Sequence, residues 1–271
     1  MRCPSHISSI SPSREGTREE RLAALRKAVE GLQAAPAFGK AGNDLASVEP
    51  RQGRSGPDWG LPAPLALGAL NEMVAVHADR PAAFGFLLTL TALGQKARAG
   101  PAVFVAARRA LAEFGAPYGH GLAQLGLDVG QLLLVETGSD KDALWALEET
   151  LRSGVAATVA GAIADGLDLT SSRRLNLATA AQRTPLVVLR GAKAEAASAA
   201  ATRWRVAAAP AARDCFGALA HWRWRVALER CRNGRPGDWL IEWNHVAHRF
   251  RVVEGLADRP PAQGAGLRRA G

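Results

Sequence analysis

Cysteine is scarce in this chain. The three present, Cys3, Cys215 and Cys231, fall in no C-x-x-C spacing. That excludes a disulfide framework and a structural zinc site, and it fits a reducing compartment. Long apolar runs are missing too: none reaches the roughly 18 residues that a membrane-spanning helix needs. Residues 1–20 hold charges and prolines but no apolar signal stretch, so a cytoplasmic chain is expected, with no membrane partner. No Gly-x-Ser-x-Gly is placed to make a nucleophile elbow. Glu242, His245 and His248 have helix-like metal spacing, but their surroundings read as strand and turn, so no metal site is expected. The phosphate-gripping pattern G-x-x-x-x-G-K-[ST] is absent. The one Gly-Lys pair of the first half, Gly39-Lys40, is followed by Ala41.

What is present is apolar and basic. Of 271 residues, 48% are hydrophobic, enough for a sizeable core. The net charge is +9, and residues 201–271 carry 13 Arg against 6 Asp or Glu. An acidic partner, nucleic acid or protein, follows from that excess; a general preference for arginine is the plain alternative.

The chain divides into five parts. Residues 1–13 are polar and Ser/Pro-rich, and disorder is expected there. Residues 14–33 read as a helix, with Leu22, Leu25, Val29 and Leu32 recurring at steps of three and four. Residues 34–64, rich in Gly, Pro and Ala, read as a linker. With nothing nearby to pack on, that leucine stripe is a candidate docking element. Residues 65–256 form the core domain, and 257–271 a loose basic tail.

Within the core, apolar runs at 69–76, 102–106, 131–135, 155–162 and 185–189 alternate with helical patterns at 81–96, 140–152 and 171–182. Alternating strands and helices predict an α/β fold with a mainly parallel twisted sheet covered by helices on both faces. Thr170 or Ser171 is the expected N-cap of the last helix. After residue 200 the segments around Trp204, Trp222–Leu228 and Trp239–Trp243 alternate, and Asn233-Gly234 suggests a hairpin. Antiparallel strands are expected at the C-terminal end of the sheet. Alternation puts Trp204, Trp222 and Trp224 on a core face. Arg203, Arg205, Arg223 and Arg225 then lie on the opposite one. With Arg230, Arg232 and Arg235 they are the candidate basic surface.

Several stretches carry a family likeness. Residues 125–133 (Leu-Gly-Leu-Asp-Val-Gly-Gln-Leu-Leu), residues 143–155 and the strand opening at Gly68-Ala69-Leu70-Asn71-Glu72 resemble the recombinase RecA. Leu67–Glu72, the Ser172–Ala178 helix (Ser-Arg-Arg-Leu-Asn-Leu-Ala) and the Arg-Trp strands resemble the ImuA family, a branch of the RecA-like superfamily. The resemblance implies a RecA-like fold and an accessory role in error-prone translesion synthesis during the SOS response. It implies partnership with an ImuB-type Y-family polymerase homologue, an error-prone DNA polymerase III alpha-type subunit and RecA. It places the chain in the cytoplasm, nucleoid-associated after DNA damage.

The resemblance also locates what is gone. Where the phosphate loop should follow the first core strand stand His77, Asp79, Arg80, Pro81 and Gly85, with no Gly-Lys pair. Pro81 lacks an N–H, and Asp79 puts a negative charge where phosphates would sit. The acidic catalytic position is occupied by Arg108, which cannot deprotonate water. The metal-holding carboxylate falls at Gly161; only a slip to Asp165 or Asp168 would restore an acid. No ATP hydrolysis and no cofactor are expected; Arg80 or Arg108 touching a phosphate is the fallback. The segment matching RecA's second DNA loop, residues 190–198, is short and alanine-rich, so filament formation on DNA is not expected. An ATP-binding RecA paralogue in DNA repair, a nucleic-acid-binding module acting alone and a SulA-like cell-division inhibitor are the rivals.

Overall fold

The structure is a computed structural model that describes residues 8–10, 17–34, 59–63, 65–191, 197–232 and 235–256. It is an α/β fold around a single ten-stranded sheet. The strands are β1 (Ser8–Ile10), β2 (Leu70–Val74), β3 (Ala102–Ala107), β4 (Leu132–Thr137), β5 (Thr158–Ala162), β6 (Leu186–Leu189), β7 (Thr202–Arg213), β8 (Leu219–Cys231), β9 (Gly237–Asn244) and β10 (Arg249–Leu256). Their spatial order is β1-β4-β3-β5-β6-β2-β7-β8-β9-β10. From β1 to β7 every pairing is parallel. The last three join as antiparallel hairpins. This is the predicted architecture, and it is consistent with a RecA-like fold.

The helices are α1 (Arg18–Ala34), α2 (Arg80–Ala97), α3 (Arg108–Phe114), α4 (Gly119–Gln124), α5 (Asp140–Ser153) and α6 (Leu169–Gln182). The core strands are mainly apolar because both faces are covered, with Asn71 and Glu72 of β2 as buried polar exceptions. On one face Phe84, Phe86, Leu87 and Leu90 of α2 pack with Phe104, Leu134, Trp204, Trp224 and Trp243. On the other, Ala143, Leu147 and Leu151 of α5 and Leu175 of α6 pack with Val103, Val105, Leu133 and Val159.

Local chemistry sets the helix ends. Pro81 sits in the first turn of α2, where a missing N–H costs nothing. Ser139 caps α5 by accepting the Asp142 N–H, and Gly154 ends it at φ 69°, a left-handed turn that favours glycine. Asp168, rather than Thr170 or Ser171, caps α6. That carboxylate accepts the Ser171 N–H at 2.6 Å, which holds its pKa below the usual range.

Three expectations are corrected. Residues 8–10, expected to be disordered, form the edge strand β1, which pairs in parallel with β4. The linker reading of 34–64 fails at its end: Trp59 is buried, and its carbonyl accepts the Phe250 N–H at 3.1 Å. Helix α1 does not stand free. Thr17 and Glu20 close a capping box at its start. Leu25 is buried in the α5–α6 core, and Arg26 lies 3.6 Å from Glu149 of α5. Leu25 is therefore no docking residue, because the chain's own core takes it. The side chains of Leu22, Val29 and Leu32 lie outside the described residues, as do Asn233, Gly234 and the tail 257–271.

Candidate functional site

In an open parallel sheet a ligand binds beyond the carboxyl ends of the strands. Here that crevice is built from the ends of β2, β3, β5 and β6, and internal partners occupy its polar groups. Only residues 75–79 separate β2 from α2, and His77–Asp79 form a single 3-10 turn. The Asp79 carboxylate accepts the Ala208 N–H at 3.0 Å, tying the turn to β7 where that strand runs past the end of β2. Arg80 points inward and is 4% exposed. Its Nε donates to both carboxylate oxygens of Glu113 on α3, and an Nη donates to the Arg190 carbonyl at 3.1 Å. The guanidinium also lies over the Phe114 ring at 5.4 Å. The His77 Nδ1 is 3.5 Å from the same Glu113. Gly85 lies within α2, with open space beside it.

The remaining expected positions are committed as well. Arg108 opens α3 and donates to Glu136 at the end of β4, at 2.7 Å. Gly161 faces α5 so closely that a Cβ would meet the Leu147 methyl at 2.9 Å, leaving no room for a carboxylate. Asp165 pairs with Arg109 at 3.4 Å, and Asp140 accepts the Ala164 and Asp165 N–H groups. Asp168 is a helix cap. Arg80 is thus buried against Glu113, whereas Arg108, paired with Glu136, keeps a side chain that is 66% exposed.

The family motifs turn out to be fastenings. Asn71 bonds β2 to its neighbours: its Nδ2 donates to the Leu186 carbonyl at 3.0 Å, and its Oδ1 accepts the Thr202 hydroxyl at 2.7 Å. Glu72 is fully buried, with Arg203 Nε at 3.2 Å and Arg190 Nη2 at 3.5 Å. Burial pulls the Arg190 guanidinium below its ordinary pKa, against the attraction of Glu72. In α6, Ser172 accepts the Ala199 N–H, Asn176 accepts the Leu70 N–H, and Arg174 pairs with buried Glu148.

The Trp and Arg faces separate as the alternation requires. Trp204 and Trp224 are buried against α2, and Trp224 Nε1 donates to the Ala82 carbonyl at 2.9 Å. Trp222 is the exception, exposed near the turn of the β7–β8 hairpin. On the other face most arginines have partners that the sequence did not reveal: Arg203 with Glu72, Arg205 with Glu229, and Arg223 with Glu242. Glu242 is itself buried and also takes Arg251 at 2.8 Å. Burial pushes its carboxyl pKa up, but the two arginines outweigh this and hold it below the usual range. Arg225 and Arg235 are exposed, Arg230 is half-buried opposite Arg203, and Arg232 donates to the Ala199 carbonyl at 3.2 Å. Among the described residues no cluster of three or more His, Cys, Asp or Glu could hold a metal. No described helix is long and apolar enough to cross a membrane.

No family model matches the chain. It is 39% identical over 236 residues to Protein ImuA of Caulobacter vibrioides, in strain NA1000 / CB15N and equally in strain ATCC 19089 / CIP 103742 / CB 15. The match covers 79% of this chain and 91% of each relative. With that identity along nearly the whole relative, the chain belongs to the ImuA family.

Proposed function

We propose that this protein is a non-catalytic RecA-like accessory factor of error-prone translesion DNA synthesis in the SOS response. It acts in the cytoplasm, at the nucleoid after damage, by holding partner proteins. These are an ImuB-type Y-family polymerase homologue, an error-prone DNA polymerase III alpha-type subunit and RecA. The observation that carries the reading is the state of the crevice: Arg80 and Asp79, which stand where a triphosphate would be gripped, are engaged by Glu113 and by the Ala208 N–H. A three-residue turn that offers a carboxylate, followed by Arg80 and Pro81, has no array of N–H groups for phosphate. What the fold then supplies is a rigid surface, and family membership supplies the setting.

The test is co-purification. The tagged full-length chain, recovered from cells after DNA damage, is expected to bring down the polymerase homologue and the error-prone polymerase. Deleting its gene is expected to abolish damage-induced mutagenesis. Recovery of neither partner, with mutagenesis intact, would overturn the proposal.

A further inference from the structure

The β7–β10 face opposite the tryptophans bears no described helix, although α5 and α6 cover the same side of the parallel half. Cross-strand register organises it. Arg223 and Arg251 both stand opposite Glu242, on β8 and β10. Arg225 follows two residues along β8, Arg203 and Arg205 lie on β7, and Arg249 lies on β10. At Glu242 the acid lies beneath an arginine: its side chain is 3% exposed, whereas that of Arg251 is 70% exposed; Glu229, which pairs with Arg205, and Asp238 are acids nearer the surface of the same face. Glu72 likewise lies beneath Arg203. At Arg251 the buried carboxylate holds one side of the guanidinium fork while most of the side chain faces solvent, whereas Arg203 is 18% exposed and reaches Ser198 as well as Glu72. Neighbouring arginines on a strand are about 7 Å apart, and those two strands apart about 10 Å.

From this arrangement we infer that the face binds the phosphate backbone of nucleic acid without reading its sequence. Fixed guanidinium forks suit phosphate oxygens. The residues between them are small or aliphatic, Ala207, Ala209, Ala227 and Leu240, and no Phe, Tyr or Trp among the described residues alternates onto this face, although the His221 ring, two residues before Arg223, does and lies 5.4 Å from that of His245. The row of large rings on which a single-strand platform stacks bases is missing among the described residues. An acidic protein fits less well, since a protein interface needs a desolvated apolar anchor at its centre: among the described residues the centre of this face offers half-buried Leu240, and exposed Leu219 lies at the hairpin end of β8. The chain's own tail is no complement: residues 257–271 carry Arg259, Arg268 and Arg269 against Asp258. The inference deepens the accessory reading by giving it a direct grip on DNA, but its test does not depend on the protein partners.

The experiment is fluorescence anisotropy of full-length protein with labelled 30-nucleotide single- and double-stranded DNA of mixed sequence, between 50 and 200 mM KCl (about the range in which phosphate contacts are lost). Binding is expected to both forms and to weaken steeply with salt. Arg225→Glu with Arg251→Glu should weaken it at least roughly ten-fold and lower the salt slope by about two. Arg225→Glu alone, at an exposed side chain, should give a smaller loss in the same direction. Arg98→Glu, at the far end of α2, should change neither. The inference is overturned if the wild type shows no salt-dependent binding, or if the reversals leave affinity and slope unchanged. It is also overturned if polyglutamate displaces the DNA at lower concentration than unlabelled DNA does, which would mark the face as a protein site.

Discussion

The Nε of Arg80 donates to both carboxylate oxygens of Glu113, at 2.9 and 2.8 Å, just beyond the end of β2, where a RecA-like protein would hold its nucleotide. Arg80 is almost wholly buried, so Glu113 neutralises a charge that has little water to serve it. Glu113→Gln should therefore destabilise the protein by about 2 kcal/mol, read as a lower urea midpoint at unchanged m-value. The double variant Arg80→Met with Glu113→Leu should cost less than that, because it removes both charges together. Equal losses in the two variants would contradict this view of the pair.

Gly161 offers a second check. Restoring an acid as Gly161→Asp brings a Cβ within 2.9 Å of a Leu147 methyl and buries a carboxylate in the α5 core. The expected result is destabilisation of about 3 kcal/mol or more, with no gain of ATP turnover. A stable Gly161→Asp protein would show that β5 and α5 are less tightly packed than described.

Helix α1 should come loose on its own. Leu25 is its described anchor in the α5–α6 core. Leu25→Ala should cost about 2 kcal/mol locally. In hydrogen exchange, α1 and β1 should lose protection while β3 and β5 keep theirs. Uniform loss across the sheet would mean that the arm and core unfold as one unit.

Much of this arrangement is legible in the sequence, and the failures have physical causes. The strands at 102–107, 132–137 and 186–189 are apolar runs that only a doubly covered sheet can use, so their type and order could be read directly. The Trp/Arg alternation gave the two faces of β7 and β8. β1 was hidden because Ser8–Ile10 is three residues long and gains its order by pairing with β4, over 120 positions away. Helices α3 and α4 span seven and six residues, too few for a periodic pattern to stand out. The arginine partners were hidden for the same reason as β1. Glu72 is 131 residues from Arg203, and Glu113 is 33 from Arg80. Local reading finds the cations but not the acids that the sheet order brings beneath them. Trp59 was the one available hint that the linker ends early, a lone large ring in a Gly/Pro-rich stretch.

The Glu242 cluster ties stability to pH. Its folded carboxyl pKa lies below the unfolded value, so its contribution is present above the ordinary glutamate pKa, about 4.3. It is lost as pH falls through the folded value. Glu242→Gln should flatten the acid limb of stability below about pH 5, measured by urea melts at stepped pH. An unchanged acid limb would mean that Arg223 and Arg251 do not hold the carboxylate.

Steady-state ATP hydrolysis by the purified full-length protein, with and without single-stranded DNA, tests the central claim most directly. With Arg80 engaged by Glu113 and the β2–α2 turn tied to Ala208, no turnover above a protein-free blank is expected in either condition. Appreciable turnover that rises with DNA and disappears in Arg80→Ala would contradict it.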